Sequence, residues 1–308
     1  MHFSYGLPTH RVDTGEELVS AGAVTELASE AESAGFDAIY TTDHPFPSDT
    51  WLAVGGHHAL DPLVALGFAA ATTSRIRLHT NLFVLAYRNP FLAAKGLSTL
   101  DVLSKGRLIV GVGAGYLEGE FAALGASFDD RNDRVDEAIS AMRAAWAGES
   151  ITRSGIGFRV DGNTMLPRPV QRPGPPIWIG GNSKRAIRRA VELADGWSPF
   201  PTPSGTSTRT HTAALATIDD LAERIEYAKQ HSAAVGRQAP LEICFVPPAL
   251  RLGSGKELDT SETVDACRAL VAIGVGWATV ALPGTTRESQ IEAIHRFAND
   301  VIRPLNGG

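Results

Sequence analysis

A single parallel (β/α)8 TIM barrel, with its irregular insertions gathered at the C-terminal face, is the fold the sequence predicts, and three observations point to it. Short β-type runs alternate with longer amphipathic segments about eight times, the signature of successive βαβ units. The chain has 308 residues, a length that suits one closed barrel. The irregular stretches after the second, fourth and sixth strands all leave from carboxyl ends, so in a barrel they share one mouth. Residues 1–308 then form one domain. An open doubly wound sheet is the alternative.

The first strand covers Phe3 to Leu7, and a helix from near Glu16 to Ser33 ends at Ala34-Gly35. The second, Ala38 to Thr42, runs into Asp43-His44-Pro45. A helix from Pro62 to Ala71 precedes the third strand, Ile76 to Leu82, and Pro90 suits the first turn of the helix that follows. The fourth strand, Arg107 to Val112, opens onto Gly113-Ala114-Gly115-Tyr116 ahead of a long helix from Arg131 to Ala147. An insertion of β character occupies about residues 148–175 and is expected beside the mouth. The fifth strand is Ile177-Trp178-Ile179. A short sixth, Gly196-Trp197-Ser198, leads into a proline, serine and threonine tract over about 199–214, read as a lid at the same mouth because βα alternation resumes after it. Leu241 to Val246 and Trp277 to Leu282 supply the last two strands.

Composition removes several function classes. A formal net charge of −6 argues against nucleic acid or an anionic membrane as the main partner, since both require a basic footprint. There is no run of eighteen apolar residues and the start lacks the character of a signal peptide, so a cytoplasmic location is expected. Cys244 and Cys267 lie far apart with no CxxC or Cys/His ligand cluster; they read as reduced thiols, and no metal site is expected.

The stretch from Pro167 to Trp197 is the most informative. A proline-rich approach delivers the apolar strand Ile177-Trp178-Ile179 to Gly180-Gly181-Asn182-Ser183 and a helix carrying Lys184, Arg185, Arg188 and Arg189. Two glycines admit close backbone approach, and Asn182 or Ser183 can cap a helix whose first N–H groups are left for an anion. The plainer alternative is an ordinary βα turn with a solvated basic helix face.

Several separated stretches resemble the bacterial luciferase-like barrel family: Ala38 to His44, Tyr87-Arg88-Asn89-Pro90 through Lys95, Gly106 through Gly115, Leu166 to Gly181, and Ala194-Asp195-Gly196-Trp197. They are spread over most of the chain in the family's order. The resemblance implies FMN or the deazaflavin coenzyme F420 bound at the barrel mouth, and the chain is more similar to the deazaflavin (F420) branch. It further implies a hydride-transferring oxidoreductase, a small organic substrate and a homodimer.

Carried over position by position, the resemblance makes His44 the catalytic acid or base, with Asp43 orienting its ring or bonding the cofactor; an imidazole titrates near neutral pH and suits that role. Asn81-Leu82 matches a bulge that in relatives contains a non-proline cis peptide behind the cofactor ring, with Thr80 beside it. Gly113, Gly115 and Tyr116 match the family's glycine turn, where a glutamate proton donor is frequent in the sugar-phosphate branch; Tyr116 puts that substrate class in doubt. Glu118 and Glu120 read as structural or helix-capping. Ile179, Gly180, Gly181 and Asn182 are cofactor contacts, Gly180 and Gly181 as backbone donors to the phosphate. Trp51, Trp197 and Phe200 are assigned to the substrate pocket; His57 and His58, in the same loop as Trp51, could face substrate too, but without further ligands they make no metal site and read better as a solvated loop. Three functions follow: an F420-dependent oxidoreductase, an FMN-dependent monooxygenase, and a non-catalytic flavin-binding barrel.

Overall fold

The computed structural model describes residues 1–203, 212–250 and 259–307. Eight parallel strands close into a barrel: β1 (His2–Gly6), β2 (Ala38–Thr41), β3 (Arg77–Val84), β4 (Leu108–Gly113), β7 (Ile177–Gly180), β8 (Gly196–Ser198), β9 (Glu242–Phe245) and β10 (Trp277–Val280), which pairs back onto β1. Each predicted strand has its counterpart in the barrel. The alternation that predicted it is explained by the shell of helices. These include α1 (Ala21–Ala34), α2 (Asp49–Leu52), α3 (Pro62–Thr72), α4 (Pro90–Leu103), α5 (Glu118–Ala123), α6 (Arg131–Trp146) and α7 (Lys184–Leu193).

The helices start where local chemistry dictates. Asp61 and Asn89 each accept backbone N–H groups of the first turn, ahead of Pro62 and Pro90, whose missing N–H would have no intrahelical partner anyway. The α1 helix stops at Gly35, whose φ of 99° lies in the left-handed region.

Strand parity sorts the core into two parts. Residues such as Phe3, Ile39, Leu78, Val110, Ile179 and Trp197 pack outward against the helices. A second cluster, Ala38, Ile109, Trp178, Cys244 and Trp277, plugs the foot of the lumen. Trp178 requires Gly196 beside it, because a Cβ there would stand 2.4 Å from the indole. Above the plug, His79 meets Trp178 edge-on at 5.0 Å, and the inward positions of the upper strands are left to line a cavity.

The segment 148–175 corrects the expectation that it sits beside the mouth. It joins the end of α6 to the start of β7, and an αβ connection of a barrel lies at the amino ends of the strands. Gln171 confirms the position by bonding Asp101 at the end of α4 and the Leu108 carbonyl at the start of β4. The β-type pattern forms a two-stranded antiparallel hairpin, β5 (Ile151–Gly155) and β6 (Phe158–Asn163), laid on the outside of the barrel. Its turn is held by Glu137 of α6, which accepts from Ile156 N at 2.6 Å, and by Phe158 packed on Phe91. None of its residues lines the mouth cavity. Of the lid-like tract, residues 204–211 lie outside the described residues.

Candidate active site

The mouth of the barrel holds a cavity of about 600 Å3. Of the residues singled out from sequence, Asp43, His44, Asn81, Leu82, Gly113, Gly115, Tyr116, Gly180, Gly181, Asn182 and Phe200 line it. Ile179 and Trp197 do not, because strand parity turns them toward the helices. Trp197 nevertheless shapes the site, donating its indole N–H to the Gly181 carbonyl at 2.8 Å. Thr80 is buried and donates its hydroxyl to the Gly111 carbonyl. Trp51, from the short α2, packs its indole on the His44 ring at 4.5 Å.

Two backbone features shape the wall formed by β3, β4 and β7. The Asn81–Leu82 peptide is cis, at the point where the register between β3 and β4 shifts. Leu82 then fills the space that Gly113 and Gly180 leave: a Cβ on Gly180 would stand 2.0 Å from Leu82 Cδ1. Next to Gly180, Gly181 takes a φ of 96°, and Ser183 caps α7 by accepting from Ala186 N. The N–H groups of Lys184 and Arg185 precede the first intrahelical bond and are left for an external acceptor.

Half of the positive charge expected on α7 is paired with carboxylates. Arg185 pairs with Asp133 and Asp136 of α6, and Arg189, itself buried, pairs with Asp136 and bonds Asn132. Arg188 bonds the Tyr227 hydroxyl and Lys184 lies over the Tyr227 ring. Backbone N–H groups and the helix end add to the positive character of the cavity, which Arg131 and Arg189 also line. The Asn182 side chain is also committed. Its amide donates to Phe200 O, Thr202 Oγ1 and Ala213 O and accepts from Phe200 N, so it fastens the segments on both sides of the 204–211 stretch to the glycine turn.

Asp43 does not orient His44. Its oxygens accept from Arg88 at 2.6 and 3.0 Å and from Val84 N at 2.8 Å. Burial raises its carboxyl above the ordinary value, opposed by the Arg88 guanidinium and the Val84 N–H. The carboxylate facing the His44 ring is Glu120, from α5: its Oε2 lies 3.5 Å from His44 Nδ1, and both side chains are almost fully buried. Sequence reading set Glu120 aside as structural; at a helix start it looks no different from the neighbouring exposed Glu118. On the other side of the ring, the Tyr116 hydroxyl lies 3.4 Å from Nε2. Burial, followed by the charge of Glu120, pushes the Tyr116 phenol up to about 12, so it remains protonated at neutral pH.

His57, one of the loop residues that could face substrate, reaches the cavity rather than solvent. Its ring meets His44 edge-on at 4.9 Å and His10 at 5.4 Å, and both line the cavity. Burial lowers the pKa of each, His10 to about 4, so both rings are neutral at pH 7. His57 Nδ1 donates to the His58 carbonyl at 2.9 Å, which leaves Nε2 as its acceptor. Among the described residues no group of His, Cys, Asp and Glu is arranged to hold a metal. No helix among them is long and apolar enough to cross a membrane.

Comparison with known proteins fits this architecture. The F420-dependent glucose-6-phosphate dehydrogenase of Microbacterium testaceum is 35% identical over 171 residues, which is 54% of this chain and 49% of that protein. The chain thus spans about half the length of that relative. Monooxygenase RslO1 from Streptomyces bottropensis superposes with a TM-score of 0.79 at 23% identity, over 99% of each chain. The coenzyme F420-dependent tetrahydromethanopterin reductase from Methanopyrus kandleri does so with a TM-score of 0.74 at 16% identity, again over 99% of each. The profile of the luciferase-like monooxygenases matches residues 1–250, and the chain belongs to that family.

Proposed function

We propose that this protein is an F420-dependent oxidoreductase that moves a hydride between the deazaflavin and a small organic substrate, with His44 handling the accompanying proton. The observation that carries this reading is the convergence on one cavity of an open helix N-terminus, a glycine-lined shelf and a buried imidazole. The residues fit such a cofactor. Lys184 N and Arg185 N, with the Gly180–Gly181 turn, would hold its phosphate, and the shelf where Leu82 occupies the missing Cβ position of Gly180 and packs against Gly113 would support its ring. When bound, the coenzyme supplies a ring carbon that gives or accepts a hydride.

The chain's own residues do the rest. His44 presents Nε2 toward the cavity beside Tyr116, within reach of a substrate oxygen. Trp51, His57 and Tyr116 surround the imidazole with rings that exclude water from it. A homodimer belongs to the same reading, supported by the exposed apolar side chains Val64 and Phe68 on α3 and Leu92 on α4.

An FMN-dependent monooxygenase is the second reading, because the same helix start would receive the FMN phosphate. Binding of each cofactor to purified protein, followed by fluorescence quenching at low and high salt, separates the two. Tight F420 and weak FMN binding is expected; FMN binding more tightly under both conditions, with oxygen-dependent turnover, promotes the monooxygenase.

A further inference from the structure

We propose that Glu120 is a positioning residue that fixes the tautomer of His44, keeping the ring proton on Nδ1 so that Nε2 faces the cavity as an acceptor. The role assigned to the proton rests on the oxidoreductase reading above; the tautomer itself does not. Two observations carry it. His44 Nδ1 is buried and has no hydrogen-bond partner at normal distance among the described residues, and the polar atom facing it is Glu120 Oε2 at 3.5 Å. An ionised carboxylate only accepts, so the nitrogen facing it is the one that carries hydrogen.

The opposite edge of the ring agrees. Tyr116 retains its phenolic proton, so it donates toward Nε2. A substrate hydroxyl taking the place of that phenol faces a lone pair: its O–H bond breaks, the electron pair stays on oxygen, and an N–H bond forms at Nε2. Other titratable or charged groups around the ring do not compete for Nδ1. His57 meets His44 edge-on while its own Nδ1 is engaged with the His58 carbonyl, and His10 lies behind it. Asp43 is held by Arg88 and Val84 N.

Glu120 is tied at its other oxygen, and this makes the proposal testable. Phe46 N donates to Oε1 at 3.3 Å. In Glu120→Gln the amide has one acceptor and one donor end, and a backbone N–H can only donate. The carbonyl oxygen goes to Phe46 N, the NH2 group faces His44 Nδ1, and the imidazole must carry its proton on Nε2. The base would then be blocked without any change of volume. A wrong-tautomer substitution of this kind costs about 10^4 in kcat in the Ser-His-Asp triad.

The test is nitrogen NMR of 15N-histidine-labelled protein without cofactor at neutral pH, with His44 assigned by comparison with His44→Asn. The Nδ1–H form is expected in the wild type and in Glu120→Asp, which keeps an acceptor-only group, and the Nε2–H form in Glu120→Gln. In turnover, Glu120→Gln should lose about a hundredfold to ten-thousandfold in kcat with little change in KM, and Glu120→Asp should recover much of it. A wild-type protein in the Nε2–H form, or a Gln variant that keeps Nδ1–H, overturns the proposal; if the Gln variant fails to fold, the wild-type and Asp spectra decide it. Tautomers as expected in a protein that turns over no F420 would uphold the positioning role and sink the hydride-transfer reading instead.

Discussion

Arg88 grips Asp43 through both carboxylate oxygens, at 2.6 and 3.0 Å, and this separates the duties of two adjacent residues at one strand end. Asp43 ties the end of β2 to the end of β3 through Val84 N, while His44 turns to the cavity. Asp43→Ala should therefore act on folding, leaving a largely buried guanidinium without its partner at a cost of about 3 kcal/mol. Urea denaturation measures it. Intact stability with lost cofactor affinity would return Asp43 to a binding role.

Ser183→Asp should separate cofactor binding from folding. Aspartate caps a helix about as well as serine, so thermal stability should hold or rise. A carboxylate at the α7 start would compete with the phosphate for the same N–H groups, and affinity for F420 should fall about tenfold or more. Unchanged affinity in this variant would mean that the turn is only a turn.

His44→Asn should lower turnover by about a hundredfold to ten-thousandfold while leaving cofactor affinity nearly intact, because the proposed phosphate site lies elsewhere, at the start of α7. Steady-state kinetics and a binding titration on the same preparation check it. Loss of both together would make His44 a binding residue.

Acid should destabilise the protein through His79. Burial, followed by the charge of Arg77, lowers its pKa from 6.5 to about 3. The unfolded chain takes up a proton below 6.5 that the folded state refuses, so this contribution to stability is full above 6.5. It is then lost at up to about 1.4 kcal/mol per pH unit as pH falls toward 3. Chemical denaturation at several pH values should show this slope reduced in His79→Gln. The same slope in the variant would place the acid sensitivity elsewhere.

The barrel was legible because each strand needs only local apolar alternation and each helix a cap, and both are written in consecutive residues. The glycine turn at Gly180–Gly181 and the capped helix after it were legible for the same reason. The failures share a different cause. Ile179 and Trp197 were assigned to the pocket although their strands' period of two, with Gly180 and Ser198 facing inward, already sends them outward. The hairpin at 151–163 was recognised as β-type, yet the direction of the chain, from helix back to strand, had to be counted to place it at the foot. Glu120 carried no local signal: it is buried because α5 folds across the mouth and meets the loop after β2, a contact between residues 74 apart in sequence.

The aromatic plug of Trp178 and Trp277 seals the lower lumen, so the cavity has its way out at the mouth, above His44 and the glycine turn. Traffic is then one-sided. A molecule that settles deepest must arrive first and depart last, and two reactants held together form a queue: kinetics should show a compulsory order of addition, with the shallower product leaving before the deeper one.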